Sequence, residues 1–365
     1  MSQGAASTPP LLDGLRILDL GIWRPVPYAT QLLAEMGADV LKVEPPGGDP
    51  MRVFPELFDV LNAGKRSIVV DMKEASGRDE VLCLAAEADA VLEGFRPGVT
   101  DRLGVGYDDV RAVNPAIVYC SISGYGATGP LADVPGHDVN YQAYAGVLRP
   151  RGGPPVAGTL PVGDLGAGVT AAMTTLAACL RARASGEGER IDVAIADVLA
   201  TWTGAVGQLT PVGSPLPMNG LPGYGTYATS DDAYLSVGVL VEPHFWSGMC
   251  RALGLEDLDG LELGERIRRK DELDEAVAGS LSKMTLAEAK ARLEDHDVPV
   301  APALDRAGML ELEHFRRRGT VVADSRRAGA PPAMGHPARY AVHPARQLAP
   351  VPGLGDDPTR RWLER

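Results

Sequence analysis

Along the first half of the chain, short apolar runs alternate with stretches of helical spacing. Arg16–Leu20 (RILDL) reads as a buried strand, and Tyr28–Met36 (YATQLLAEM) as a helix closed by Gly37. The strand signal returns at Asp39–Glu44, Ser67–Asp71, Ala90–Glu93 and Ile117–Ser121, with an amphipathic helix over Ala75–Ala88 between them. Strands that alternate with helices in this way build βαβ units, so the pattern predicts an α/β fold around a doubly wound, mostly parallel sheet.

The second half changes character. Gly166–Ala184 is rich in Ala, Leu, Met and Thr and predicts one long, nearly all-apolar helix, buried on most sides, followed by SGEGE and a strand at Ile191–Ile195. Thr210–Gly225 is a Pro/Gly stretch with the look of an interdomain connection. A smaller unit begins with Tyr234–Val239 and continues with polar helices between Glu265 and Asp295. The tail from Ala328 is turn-like, with a last short helix expected at Asp357–Glu364. The resulting division is a large domain over 1–205, a connector over 206–226, a small α/β domain over 227–325, and a return segment over 326–365 that packs on the large domain.

Composition narrows the function classes. At 45% hydrophobic and 23% charged residues, the chain is an ordinary globular one. The longest apolar stretches, such as Ala171–Leu180, fall short of the roughly 18 residues of a membrane span. The N-terminal MSQGAASTPPLLDGLR has no basic region followed by an apolar one, so a cytoplasmic protein is expected. A net charge of -13 argues against a nucleic-acid partner but leaves room for a phosphorylated small molecule. Cys83, Cys120, Cys179 and Cys250 are far apart and form no C-x-x-C pair, so neither a disulfide framework nor a zinc cluster is expected.

Three segments bring a titratable group beside glycine or proline, where backbone can approach a ligand closely: PGHDVNY with His137 and Asp138, PVGDLGAG with Asp164, and LVEPHF with Glu242. Taken by themselves they are suggestive only. A His–Asp pair is commonly a surface or capping pair, and an aspartate ahead of a long helix is commonly its cap. Even so, a carboxylate near a helix N-terminus lies where an enolate oxygen is also stabilised.

These segments belong to a longer series: GLRILDLG, LLAEMGADVLKVEPPGG, NAGKRSIVVDMK, GFRPGVTDRLGVGYDDV, SISGYGATGP, PGHDVNY, VGDLGAG, EPHFW and VPVAPAL. In this order the chain resembles, along nearly its whole length, the family III CoA-transferases and α-methylacyl-CoA racemases of the CaiB/BaiF type. The resemblance implies an interlocked homodimer, each chain with a Rossmann-like large domain and a smaller α/β domain. It implies an acyl-CoA substrate, no cofactor apart from the coenzyme A of that substrate, no metal and no membrane.

Two branches differ in their chemistry. In transferases the aspartate matching Asp164 attacks the thioester and forms an aspartyl-CoA; in racemases it is one of two bases flanking the α-carbon, the histidine matching His137 is the other, and the glutamate matching Glu242 supports that histidine. His137 in PGHDVNY, Glu242 in VEPHF, and NGLPGYGTY in place of a run of glycines favour the racemase branch. Pro45 in VEPPGG and Arg24 in GIWRPVP depart from it. The expected activity is racemisation of 2-methylacyl-CoA thioesters, with CoA transfer between carboxylic acids through Asp164 as the alternative. By the same resemblance Arg96, Lys42, Lys65 and Arg66 would contact CoA, with Arg96 in FRPGV the first choice.

Overall fold

The computed structural model describes residues 8–148, 154–205, 221–324, 332–346, 349–357 and 359–362. The chain divides into two compact units, Met1–Val206 with His314–Arg365, and Gly207–Glu313.

The larger unit is built on six parallel strands: β1 (Arg16–Asp19), β2 (Asp39–Glu44), β3 (Arg66–Val69), β4 (Ala90–Glu93), β5 (Val118–Ser123) and β6 (Glu189–Ala194). Their spatial order is β3-β2-β1-β4-β5-β6, the doubly wound arrangement in which the connections reverse between β1 and β4. Because helices cover both faces, β1 to β5 are largely buried on both sides, which is why they read as mainly apolar runs, whereas the first four residues of the edge strand β6 are exposed or half-buried. One face packs Ile17, Val40, Leu92 and Val118 under the helices Pro25–Glu35 and Val162–Ser185. The other packs Leu18, Leu41, Ile68 and Tyr119 under Ala75–Glu87.

The helix Val162–Ser185 starts four residues before its sequence-predicted origin and is long and apolar enough to cross a membrane by length and composition, contrary to the expectation from shorter apolar runs. In this fold it is the central helix of one face. Gly166, Ala167, Gly168, Ala171 and Ala172 are buried, and their small size lets the Pro25–Glu35 helix approach closely. A Cβ at Gly168 would lie 2.8 Å from Tyr28 Cδ1 and 3.0 Å from the Pro25 carbonyl oxygen.

The tail of this unit returns over the sheet edge. Trp362 donates to the Leu84 carbonyl at 2.8 Å, Arg360 pairs with Glu80 at 2.6 Å, and Arg66 pairs with Asp357 at 2.5 Å. The helix expected at Asp357–Glu364 does not form over the residues described there, and residues 358 and 363–365 lie outside the described ones. Most of the expected connector, residues 206–220, also lies outside them.

The smaller unit holds a three-stranded antiparallel sheet, β7 (Tyr224–Ala228), β8 (Tyr234–Gly238) and β9 (Val300–Pro302). Helices Pro243–Leu253, Lys270–Leu281 and Leu286–Glu294 close a core of Leu235, Val237, Trp246, Leu273 and Leu293.

Candidate active site

Ligands of doubly wound sheets bind beyond the carboxyl ends of the strands at the point where strand order reverses. A cleft of about 980 Å³ lies there in the larger unit. Its walls come from the segment after β1 (Ile22–Pro25), the segment after β4 (Gly94–Pro97), the end of β5 (Ser123–Tyr125), the PGHDVNY segment and the start of the Val162–Ser185 helix. Three of the sequence-predicted site residues, Arg96, His137 and Asp164, line this single cleft.

His137 immediately precedes the helix Asp138–Tyr144, and its backbone N–H donates to Asn140 Oδ1 at 3.0 Å. The segment is clamped by Tyr141, whose hydroxyl donates to the Gly136 carbonyl at 2.5 Å. Its ring fills the space that side chains at Gly124 and Gly136 would need: Cβ atoms there would come within 2.4 and 2.7 Å of Tyr141 Cε1. Tyr125 meets Tyr141 edge-on at 5.0 Å between ring centres, and its buried hydroxyl has no hydrogen-bond partner among the described residues. The imidazole is exposed to the cleft.

Asp164 stands in the first turn of its helix and does not cap it. The cap comes from 25 residues away: Asp138 Oδ1 accepts from the Gly163 and Asp164 N–H groups at 2.7 and 3.0 Å. Gly163 makes that approach possible, since a Cβ there would lie 2.8 Å from the same oxygen. With the helix terminus satisfied by Asp138, the Asp164 carboxylate is left for the cleft. Burial, and then the negative charge of Asp138, push its pKa up to about 6, while Arg24 and His137 pull the other way. The sequence singled out the His–Asp dipeptide but missed that its aspartate caps a distant helix, because the contact is tertiary.

The four expected CoA cations separate. Arg96 lines the cleft, exposed, on the segment that follows β4. That segment is held by Glu93, which accepts from the Phe95 N–H at 2.7 Å and whose pKa burial pushes up to about 7. Lys42 and Lys65 must be corrected: both are internal. The Lys42 ammonium pairs with Asp49 at 2.9 Å and donates to the Gly21 carbonyl at 2.6 Å, both side chains fully buried. The Lys65 ammonium pairs with Asp19 at 3.0 Å and donates to Asn62 Oδ1 and the Pro27 carbonyl at 2.9 Å. Burial lowers the Lys65 pKa to about 8 against the pull of Asp19. For Asp19, burial is outweighed by the two lysines, which hold its carboxyl below the ordinary range. Arg66, on β3, is taken up by Asp39 at 2.9 Å and by Asp357, away from the cleft.

These buried pairs act instead on the segment that borders the cleft after β1. Asp19 Oδ1 accepts from the Gly21 N–H at 2.8 Å, and Asp49 Oδ1 lies 3.4 Å from the Trp23 N–H. Together with Lys42 they hold Gly21 and Trp23, and Trp23 lies in the left-handed region, at φ 63°.

Glu242, in the smaller unit, immediately precedes the helix Pro243–Leu253, and its buried Oε2 has no hydrogen-bond partner among the described residues. Its charge reaches the buried Arg266, which stacks over the Trp246 ring at 5.0 Å. Among the described residues no group of three or more His, Cys, Asp or Glu is placed to hold a metal ion.

Comparison with known proteins gives this arrangement a context. The model of CoA-transferase family III matches residues 12–358. Acetyl-CoA:oxalate CoA-transferase of Acetobacter aceti is 30% identical over 85% of this chain and 85% of its own. Mouse α-methylacyl-CoA racemase is 30% identical over 88% of this chain and 85% of its own. Among solved structures, a CaiB/BaiF family protein from Brucella suis superposes with a TM-score of 0.83 at 27% identity, over 96% of this chain and 98% of that one. A hypothetical protein from Mycobacterium tuberculosis gives 0.86 at 28%, over 97% and 99%.

Proposed function

The chain belongs to CoA-transferase family III, the family of CoA-transferases and α-methylacyl-CoA racemases, and from that premise we propose that it racemises 2-methylacyl-CoA thioesters. One observation carries the reading: His137 and Asp164 converge on one cleft, with the aspartate's pKa raised to about 6, into the range in which imidazoles ordinarily titrate.

Inversion at a carbon acid needs a base on one face of the α-carbon and a proton donor on the other. With Asp164 ionised and His137 protonated, Asp164 takes the α-proton. The electron pair moves onto the thioester oxygen as an enolate, and the imidazolium returns a proton to the opposite face. The reverse direction starts from protonated Asp164 and neutral His137. With its pKa raised, Asp164 can hold the proton in the second state, whereas an ordinary aspartate would hold it too weakly to serve as the acid. Arg96, exposed in the same cleft, is proposed as a contact to CoA.

The relatives that carry transferase names support a second reading, in which the Asp164 carboxylate attacks the thioester carbonyl and expels the CoA thiolate to give a mixed anhydride; the thiolate then attacks the aspartyl carbonyl, the acyl group leaves as its carboxylate, and an aspartyl-CoA remains. Incubation with a 2-methylacyl-CoA in deuterated water, with no acceptor acid present, separates the two. Racemisation puts deuterium at the α-carbon; failure to exchange, with hydroxylamine converting the aspartyl thioester at Asp164 to a hydroxamate and releasing CoA, would replace the first reading by the second.

A further inference from the structure

The helix Pro25–Glu35 carries three polar side chains that the mechanism above does not use. Its first residues, Pro25 and Val26, line the cleft. Tyr28, Gln31 and Glu35 follow at spacings of three and four, which puts them on one side of the helix, and they line a separate pocket of about 180 Å³ that shares no residue with the cleft. The opposite wall comes from the helix Pro55–Asn62, through Asp59 and Val60, and from the return segment, through Met334 and Arg346.

Gln31 marks this pocket as more than a packing gap. It is 5% exposed, and its buried Oε1 has no hydrogen-bond partner among the described residues, although buried polar atoms are nearly always paired. Glu35 decides which end of the amide is left over: Gln31 Nε2 donates to Glu35 Oε1 at 3.2 Å, so the carbonyl oxygen remains. Burial raises the Glu35 pKa against the pull of that hydrogen bond and of the His336 charge, and a carboxylate opposed by burial gains from a cation placed beside it. Burial, and then the Glu35 charge, also raise the pKa of Tyr28, whose hydroxyl therefore stays protonated and near the carboxylate.

The chemistry of an occupant follows from these groups. Asp59 and Arg346 contribute one charge of each sign, so Glu35 leaves the pocket net acidic and closes it to anions. A carboxylate, an amide oxygen and a phenol oxygen offer three acceptors, and an ammonium group carries three N–H donors. The remaining lining, Leu32, Val60 and Met334 among it, is apolar and suits an alkyl stem. The volume is several times the share of about 30 Å³ that one water takes up in the liquid, which leaves room for a chain of a few carbons.

We infer that this pocket binds a small primary ammonium compound, its ammonium group held by Tyr28, Gln31 and Glu35 and its short alkyl chain laid against Leu32, Val60 and Met334.

Butylammonium chloride and 1-butanol, which differ in little but the charged head, test it on the full-length protein by ligand-detected NMR titration at fixed ionic strength. The wild type should bind butylammonium tighter than 1-butanol by on the order of 10- to 100-fold, as hydrogen bonds to a charged group allow. Glu35→Gln, which keeps the shape and the bond to Gln31, should lose that preference. Asp79→Asn, which removes one negative charge from an exposed site on the Ala75–Glu87 helix, should keep it. Equal wild-type affinities for the two probes, or binding of neither, would overturn the inference without any variant having to fold. A preference that survives Glu35→Gln, or falls equally in both variants, would also overturn it, since the cation would then be drawn only to the acidic surface. The pocket is independent of the cleft, so each of these outcomes leaves the proposed function standing.

Discussion

Asp164→Asn should stabilise the folded protein at neutral pH and do so progressively less as the solution is acidified. The structure raises the carboxyl pKa from 3.8 to about 6, through burial first and the neighbouring Asp138 second. A raised carboxyl pKa means that the folded protein holds the proton more tightly than the unfolded chain. Stability is therefore unaffected below about pH 4, where both states are protonated. It falls as pH rises from about 4 to about 6, and the penalty is complete above that. A shift of about two units corresponds to ~3 kcal/mol at 1.36 kcal/mol per unit, and the part of the carboxylate that water still reaches reduces this to roughly 1–2 kcal/mol. Asparagine, a neutral isostere, removes the penalty and keeps the shape. Urea unfolding at about pH 7.5 and pH 4, at one protein concentration, measures the difference between wild type and variant. A gain at pH 7.5 that vanishes at pH 4 is the expected result. An equal change at both pH values, or a loss at neutral pH, would show that Asp164 is not held against its ionisation, and with it would go the capacity proposed for Asp164 to serve as the acid.

Three further outcomes follow from particular contacts. Lys65→Met should cost about 3–5 kcal/mol in denaturant unfolding, because it leaves Asp19 charged and fully buried without its partner; a small stability change with a large loss of CoA-ester affinity would restore Lys65 as a phosphate ligand. Gly168→Ala should cost about 1–3 kcal/mol by forcing a methyl group to within 3.0 Å of the Pro25 carbonyl, and an unchanged melting temperature would contradict the packing described. Arg96→Ala should weaken the binding of CoA esters, with a loss that shrinks as salt rises, since charges in an exposed site are screened over about 8 Å at physiological ionic strength; an unchanged dissociation constant would remove Arg96 from the site.

The sheet was legible in the sequence because β1 to β5 are largely buried on both faces. Ala90–Glu93 and Asp39–Glu44 were located to the residue, and the Ala75–Glu87 helix to within one. The helix Ile195–Ala205 was not, because β6 runs into it at Ile195 with no turn residue between. The short helix Asp138–Tyr144 was hidden for a different reason: its start is marked by a local contact, from the His137 N–H to Asn140 Oδ1, rather than by apolar spacing. For the site, His137, Asp164 and Arg96 were found through the motifs that hold them. Lys42 and Lys65 were misread since lysine is normally solvated, and their partners Asp49 and Asp19 lie 7 and 46 positions away, visible only once the strands are assembled. Arg24 was noticed as a departure from relatives, yet only the packing of Pro25 against Gly168 places it beside Asp164.

The two-base assignment is tested most directly by α-proton exchange measured separately on each enantiomer of a 2-methylacyl-CoA in deuterated water, with His137→Ala and Asp164→Asn compared against the wild type. Each base serves one face of the α-carbon, so each variant should lose on the order of 10²- to 10⁴-fold in exchange from one enantiomer and much less from the other, and the two variants should affect opposite enantiomers. Equal losses from both enantiomers in either variant, or the same enantiomer affected by both, would contradict the placement of His137 and Asp164 on opposite sides of the substrate.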